Sequence, residues 1–237
     1  MLIYGQNTIL YYLRNYSADI TELFIDRSRK DHKFESEIKR YPKINKVDSN
    51  FFLNNLRNVN HQGIAARVKP FSYKDLTEID LSARPLVVIL DSVQDPANLG
   101  AVLRTSEAFG VTSVIIPKDR AAEVTPAVIR ASAGAARGVD ICKVVNITRT
   151  IEYLKDKNLW VTAVEDHRKA KPYYAHDMSV PLVLLFGSEG SGIRRLPLEK
   201  SDMIINIPTY GKVQSLNVSV SAGIVIAEAA KARKNNN

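Results

Sequence analysis

Cysteine is almost absent from this sequence, and its scarcity excludes two kinds of site. Cys142 is the single cysteine among 237 residues, so the chain can form neither an internal disulfide nor a cysteine-rich metal centre. Chains without disulfides are typical of reducing compartments. The apolar-leaning sequence Val139-Asp140-Ile141 before it predicts that Cys142 is a small buried hydrophobic side chain.

Long apolar runs are also missing. Runs such as 181–186 are far shorter than the ~20 residues needed to cross a bilayer. Gln6, Asn7 and Arg14 interrupt the N-terminal segment, which therefore does not resemble a signal peptide. We expect a soluble, cytoplasmic protein that does not enter a membrane.

Acidic residues are fewer than basic ones. The 33 Lys and Arg against 25 Asp and Glu give a formal net charge of +8. A basic balance favours a polyanionic partner, because each phosphate neutralised by Lys or Arg releases condensed counterions. A soluble basic protein without such a partner has the same composition, so charge alone leaves both readings open.

The first part of the chain, residues 1–69, alternates short helical patterns (8–13 and 34–38) with strand-like ones (23–25 and 64–68). Basic residues lie mostly between these elements or at their ends: Arg27, Arg29, Lys30, Lys33, Lys39, Arg40, Lys43 and Lys46. A small α/β module of this kind suits contacts to an RNA backbone, although solvated loops would have the same composition. Residues 70–83 are less periodic, lie between Pro70 and Pro85, and predict a linker.

Residues 84–237 show a different pattern. Short apolar runs at 86–90, 113–116, 160–164 and 182–186 alternate with stretches long enough for helices. This alternation predicts an α/β domain whose largely parallel sheet is covered on both faces. Ligands bind such sheets outside the carboxyl ends of the strands. The loops after Leu90, Phe186 and Ile207 are therefore the candidate site.

Local signals predict a helix after Leu90. Asp95 suits the N-cap, Pro96 the first helical position and Gly110 the end. Apolar residues at i, i+3 and i+4 spacing predict its buried face: Leu99, Val102 and Leu103.

Two polar residues of this helix are candidates for function. Asn98 lies in the first turn, near the end of the preceding strand. Arg104 lies off the buried face, and Gly100, one turn earlier, would leave its side chain an open path. On spacing alone, an arginine in such a position is more often a solvated surface charge than a functional residue.

The loop after Phe186 contains three glycines, Gly187, Gly190 and Gly192, in the spacing G-x-x-G-x-G. Glycine allows positive φ and a close approach of backbone to a ligand. The spacing matches neither the dinucleotide fingerprint nor the P-loop. Glu189 is a candidate partner for a cation, and a purely structural turn is the alternative interpretation.

The loop after Ile207 leads into a C-terminal helix rich in small residues. Ser215 is predicted to cap this helix, and its predicted buried stripe consists of Leu216, Val220, Ile224 and Ala227. Asn217 and Ser219 lie near the helix start, where free N–H groups attract anions. Serines on such a helix also serve close packing.

Taken together and in this order, the three loops resemble the catalytic domain of the SPOUT superfamily, in its SpoU (TrmH) branch of RNA 2′-O-ribose methyltransferases. The resemblance rests on Asn98-Leu99-Gly100 with Arg104, on 186–190, and on Ile207-Pro208 leading to 215–219. The N-terminal part, with Tyr4-Gly5 and 61–63, is similar to the L30-like substrate-binding domain of rRNA guanosine 2′-O-methyltransferases of the RlmB type.

The resemblance implies a fold that the residue pattern does not show. In this superfamily the C-terminal segment forms a trefoil knot, an α/β-knot that is an exception to the rule against knotted chains. S-adenosyl-L-methionine binds against the knot, and two subunits pair as a homodimer with the site near their interface. The substrate it implies is 23S ribosomal RNA, either free or within a preribosomal particle.

The resemblance also assigns roles to residues. It implies cofactor contacts at Leu185, Gly187, Ile207, Ser215, Leu216 and Asn217. It implies that the catalytic set is Arg104, Asn98, Glu189, Ser215 and Asn217. It requires no metal, and the sequence offers no His, Cys and carboxylate cluster that predicts one.

The implied reaction is methylation of a ribose 2′-hydroxyl, for which the resemblance nominates Arg104. Arginine has a pKa above about 12, so two roles stay open: a base beside a cationic cofactor, or a group that holds the phosphate and ribose and stabilises the alkoxide. Glu189 would orient Arg104. The alternatives are a tRNA 2′-O-methyltransferase and a non-catalytic RNA-binding or ribosome-assembly factor on the same scaffold.

Overall fold

The computed structural model describes residues 1–38, 41, 43–188, 190–213 and 215–235. Its N-terminal part contains β1 (Leu2–Tyr4), α1 (Gln6–Asn15), β2 (Ile20–Asp26), α2 (His32–Ile38), β3 (Ile44–Val47), α3 (Ser49–Asn55) and β4 (Ile64–Val68). The strands form one sheet in the order β1-β4-β2-β3, in which β4 is antiparallel to both neighbours. The predicted elements are confirmed, whereas the short strands β1 and β3 and the helix α3 were not predicted.

The C-terminal part contains β5 (Leu86–Leu90), α4 (Pro96–Ala108), β6 (Ser113–Pro117), α5 (Pro126–Ala131), β7 (Asp140–Val144), α6 (Ile147–Asp156), β8 (Trp160–Val164), β9 (Lys171–Pro172), β10 (Leu182–Phe186), α7 (Arg195–Lys200), β11 (Met203–Asn206) and α8 (Val218–Asn235). The predicted strands are all present. Strand β7 was not predicted, because Asp140 and Lys143 interrupt its apolar pattern.

The strands of this part form a second sheet in the order β7-β6-β5-β10-β8-β11-β9. Every adjacent pair is parallel, as predicted for a buried sheet. The order places β8 between β10 and β11. The carboxyl ends of these three strands therefore meet at one edge of the sheet.

Helix α4 begins and ends where its local signals predict. The Asp95 carboxylate accepts a hydrogen bond from Ala97 N at 2.7 Å, and Pro96 is the first helical residue. The helix ends before Gly110, whose φ of +69° suits glycine. The three residues predicted for its buried face are buried.

Gly100 lies where α4 packs closely against α5. A Cβ at this position would lie 2.4 Å from the Ala131 Cβ and 3.0 Å from the Val128 carbonyl oxygen on α5. Glycine is therefore required because α4 and α5 pack closely. The open path predicted for the Arg104 side chain stays a prediction.

The predictions for the start and the buried face of α8 were wrong. The helix begins at Val218, and Asn217 caps it by accepting a hydrogen bond from Ser219 N at 2.8 Å, so Ser215 is not the cap. Leu216 and Val220 are exposed. The face that packs against α4 and β10 consists instead of Val218, Ala222, Val225, Ile226 and Ala229. Because the helix begins at Val218 and not at the predicted Ser215, Leu216 precedes the helix and does not form part of its buried face.

The two parts of the chain pack against each other. One hydrophobic core continues from Ile9 and Tyr12 of α1 to Val128 and Ile129 of α5. The Tyr11 hydroxyl donates to the Glu107 carboxylate of α4 at 2.9 Å. The 70–83 segment, predicted as a linker, lies partly along β7, where its Lys74 N donates to the Ile141 carbonyl at 2.9 Å.

The buried position predicted for Cys142 is confirmed, and burial raises the pKa of its thiol. Within the described residues, we find no helix that is both long and apolar enough to span a bilayer.

Candidate active site

A cavity of about 870 Å³ opens at the carboxyl ends of β8, β10 and β11. Four stretches of chain line it: residues 164–166 at the end of β8; residues 186–188, 190 and 192 at the end of β10; residues 206–209 at the end of β11; and residues 215–218 with Ser221. Its volume lies within the range of about 300–1,000 Å³ typical of small-ligand sites. The loops after Phe186 and Ile207 therefore converge, as predicted.

Glycine is required at position 187 because the glycine loop folds back onto itself. Ser188 and Gly192 exchange backbone hydrogen bonds of 3.1 and 3.0 Å. A Cβ on Gly187 would lie 2.1 Å from the carbonyl carbon of Gly192 and 2.3 Å from Ile193 N. No other residue fits this approach. The loop thus presents backbone rather than side chain to the cavity at Gly187.

A hydrogen bond joins the first turn of α4 to the start of α8. The Asn217 Nδ2 donates to Asn98 Oδ1 at 3.0 Å. The Asn217 Oδ1 accepts from both the backbone N and the Oγ of Ser219, at 2.8 and 2.6 Å. Asn98 is buried, whereas Asn217 lines the cavity. Asn217 is thereby held in one orientation at the cavity wall.

Asp91, directly after β5, holds the far end of the glycine loop. Its fully buried carboxylate accepts from Arg194 Nε at 2.8 Å and from Arg194 N at 3.2 Å. The sequence analysis did not single out this pair. The sequence feature that could have identified this pair is a carboxylate residue directly after a buried strand.

The cavity also contains residues that the sequence analysis missed. Glu165 and Asp166 follow β8 and line the cavity. The Glu165 Oε2 accepts from Ile193 N at 3.0 Å. The strand that precedes them, β8, was predicted. Ligands bind outside the carboxyl ends of the strands in such a sheet, so the loop after β8 was also a candidate. What was unknown was the position of β8 between β10 and β11.

The predicted site residues do not all lie at the cavity. Gly187, Ile207, Ser215, Leu216 and Asn217 line it, and Asn98 touches it through Asn217. The Leu185 side chain is fully buried in the hydrophobic core and does not line the cavity.

Neither Arg104 nor Glu189 is among the described residues that line the cavity. Arg104 is exposed on α4. Glu189 lies outside the described residues. The predicted contact between these two side chains therefore stays a prediction. In the part of the chain that the structure describes, no group of three or more His, Cys, Asp or Glu could hold a metal ion.

Comparisons with known proteins agree with this geometry. Residues 85–227 match the model of the SpoU rRNA methylase family, and residues 2–74 match that of the RNA 2′-O ribose methyltransferase substrate-binding domain. The chain is 37% identical to the 23S rRNA (guanosine-2′-O-)-methyltransferase RlmB of Photobacterium profundum, over 98% of each chain.

Two solved structures share the fold. The SpoU methyltransferase AviRb of Streptomyces viridochromogenes, in complex with AdoMet, superposes with a TM-score of 0.81 at 22% identity, covering 99% of this chain and 90% of that one. A TrmH/SpoU tRNA-modifying enzyme of A. aeolicus superposes with a TM-score of 0.60 at 28% identity, covering 68% of this chain and 83% of that one. The α/β fold is that of the SpoU and TrmH methyltransferases, and the chain belongs to the SpoU rRNA methylase family.

Proposed function

We propose that this protein transfers a methyl group from S-adenosyl-L-methionine to the ribose 2′-hydroxyl of a guanosine in 23S ribosomal RNA. The observation that carries the proposal is the convergence of the glycine loop and the Asn98–Asn217 pair on one cavity at the carboxyl edge of the parallel sheet. Full-length similarity to a 23S rRNA guanosine methyltransferase supports the same activity.

The residues at the cavity fit the cofactor. The bare backbone at Gly187 allows an adenosine group to approach closely, and the backbone at Ile207 and Leu216 offers hydrogen bonds to it. Ser215 and Asn217 supply polar side chains beside it. When bound, the sulfonium cofactor supplies an activated methyl group. The chain's own task is to align the hydroxyl with that methyl, and alignment accounts for about 7–11 kcal/mol of a barrier in favourable cases.

Arg104 acts on the RNA rather than on the cofactor. Its side chain is exposed and, among the described residues, makes no hydrogen bond or ion pair. A guanidinium in this position is available to a phosphate and to the ribose oxygen that loses its proton. Asn98, Ser215 and Asn217 hold the surrounding wall, and Glu189 orients the arginine.

The site is completed by a second copy of the chain. Apolar side chains of the last cavity loop and of α8 are exposed: Tyr210, Val213, Leu216 and Val220. An exposed apolar cluster beside a site is typical of an interface. Pairing through this surface as a homodimer covers these side chains and brings a second chain to the mouth of the cavity. Arg104 of the same chain is not among the described residues that line this cavity. We also infer that the C-terminal segment of the chain forms the trefoil knot of the family.

The substrate assignment follows from the two parts of the chain. The domains are residues 1–69 for RNA binding, a linker at 70–83, and the methyltransferase domain from 84 onwards. The Photobacterium relative spans both parts, whereas the tRNA-modifying neighbour covers only 68% of the chain. This difference favours ribosomal over transfer RNA, and a ribosomal substrate supports our proposal of a cytoplasmic enzyme.

Methyl transfer from labelled S-adenosylmethionine tests the proposal. The acceptors are 23S rRNA from a strain that lacks this gene, precursor ribosomal particles from the same strain, and total tRNA. Mapping of the labelled nucleotide should give one guanosine ribose in 23S rRNA, and the faster acceptor identifies free RNA or particle as the substrate. Label in tRNA alone would establish the tRNA alternative. Absence of cofactor binding would establish a non-catalytic RNA-binding factor.

A further inference from the structure

The cavity carries negative charge in a protein that is basic as a whole. Glu165 and Asp166 line it, and none of its described lining residues is Lys, Arg or His. The whole chain has a formal net charge of +8. The cavity is therefore an anionic hollow in a cationic protein.

The charge at Glu165 is fixed in place. Its Oε2 accepts a hydrogen bond from Ile193 N at 3.0 Å. A Cβ on Gly192 would lie 2.4 Å from Glu165 Oε1, so this carboxylate oxygen lies directly against the glycine. Gly192 has a φ of +65°, which suits glycine. The loop holds the carboxylate rigidly, and a rigid charge needs no reorganisation when a ligand enters.

Resting on the proposed function, we propose that Glu165 and Asp166 make the cavity select its ligand by charge, binding the cationic methyl donor in preference to its neutral demethylated product. In the transfer, the bond from methyl carbon to sulfur breaks and its electron pair stays on sulfur. The methyl forms a bond to the ribose oxygen, and the hydroxyl proton leaves to solvent. The ligand thereby loses one positive charge.

The physical consequence is assisted product release. Attraction between unit charges in a partly solvated site falls off with distance and with the local dielectric. The neutral thioether product loses this attraction, whereas the proposed hydrogen bonds to the backbone at Ile207 and Leu216 stay the same. The product therefore binds more weakly than the methyl donor and dissociates more readily. Glu165 and Asp166 are specificity-determining residues in this scheme.

Calorimetry with three ligands tests the proposal: S-adenosylmethionine, the cationic analogue sinefungin, and neutral S-adenosylhomocysteine. In Glu165→Gln, the amide oxygen can still accept from Ile193 N, so only the charge is removed. We expect this variant to bind both cationic ligands about 3- to 10-fold more weakly. Its affinity for S-adenosylhomocysteine should be unchanged. Asp166→Asn, at an exposed position, should also weaken the binding of both cationic ligands and leave the affinity for S-adenosylhomocysteine unchanged.

Asp156→Asn is the matched control, because it removes one exposed carboxylate at the end of α6, which leads into the amino end of β8. It should leave all three affinities unchanged. Raising the salt concentration should shrink the preference for cationic ligands in the wild type.

Equal weakening of all three ligands in Glu165→Gln and Asp166→Asn would overturn the inference, since it would show a structural or hydrogen-bonding role. If Glu165→Gln does not fold, Asp166→Asn with the salt series decides the question. A wild type that binds none of the three ligands would instead overturn the proposed function.

Discussion

Asn217 Nδ2 donates a hydrogen bond to Asn98 Oδ1 at 3.0 Å, joining two side chains that lie 119 positions apart in the chain. The bond connects the first turn of α4 with the cap of α8. Asn217 lines the cavity, and Asn98 is buried on α4. The position of α4 therefore helps to fix the position of Asn217 in the cavity wall.

Replacing either asparagine by alanine should weaken cofactor binding. Asn217→Ala also removes the cap of α8, which costs about 1 kcal/mol, and Asn98→Ala leaves the Asn217 amide without its buried acceptor at a cost of about 1–3 kcal/mol. Urea unfolding and calorimetry with S-adenosylmethionine measure both effects. A double-mutant cycle should show coupling, and strictly additive losses would contradict a direct link.

Gly187→Ala should abolish or strongly weaken cofactor binding, because its Cβ would lie 2.1 Å from the Gly192 backbone. The loop would have to open, and we expect a loss of affinity of at least about 10-fold, equivalent to about 1.4 kcal/mol. Gly223→Ala is the control, because a Cβ there meets nothing within 4 Å. It lies in α8 and should raise stability by up to about 1 kcal/mol. Wild-type cofactor affinity in Gly187→Ala would refute the role assigned to this loop.

Arg104→Ala should abolish turnover and leave cofactor binding intact. The exposed guanidinium acts on the RNA, and loss of an acid–base or electrostatic group typically lowers the rate about 10²- to 10⁴-fold. Single-turnover methylation and calorimetry separate the two readouts. Arg149→Ala, which removes an exposed arginine from α6, is the matched control. An Arg104→Ala variant with normal turnover would remove this residue from the mechanism.

Val220→Lys should dissociate the proposed homodimer. Val220 is 49% exposed on α8 beside the cavity, and burying an unpaired ammonium in an apolar interface is unfavourable. Sedimentation equilibrium should show monomers. The corresponding control is Leu53→Lys, at a residue that is 61% exposed on α3. Dimers of unchanged affinity in Val220→Lys would exclude this surface as the interface.

Acid should weaken the contact between the two parts of the chain. Burial raises the pKa of Asp19, but hydrogen bonds from Arg137, at 2.7 Å, and from Lys69 outweigh it and hold this pKa below its ordinary value of 3.8. Because the unfolded carboxyl binds its proton at higher pH than the folded one, the stabilisation is complete above about pH 4. It disappears as the pH falls through the folded pKa.

Urea unfolding between pH 5 and pH 2.5 measures this dependence. Asp19→Asn should show a shallower loss of stability in acid than the wild type. Asp119→Asn, at an exposed aspartate, should follow the wild-type curve. Identical curves for Asp19→Asn and the wild type would show that this ion pair does not contribute.

The sequence by itself determined those features that depend on neighbouring residues. Asp95, Pro96 and Gly110 fixed the limits of α4, because caps and left-handed turns are properties of the local backbone. Apolar runs identified β5, β6, β8 and β10, and the spacing of glycines identified the loop at Gly187, although not the steric clash that requires it.

Only the tertiary structure decided which distant segments meet. The place of β8 between β10 and β11 brought Glu165 and Asp166 into the cavity, and no local pattern encodes strand order. The buried face of α8 depends on where α4 lies, which is why Val220 was misassigned, whereas Leu216 was misassigned because it precedes the helix. The Asn98–Asn217 bond, likewise, exists because parallel strands carry their loops to one edge, a consequence of packing across the whole domain.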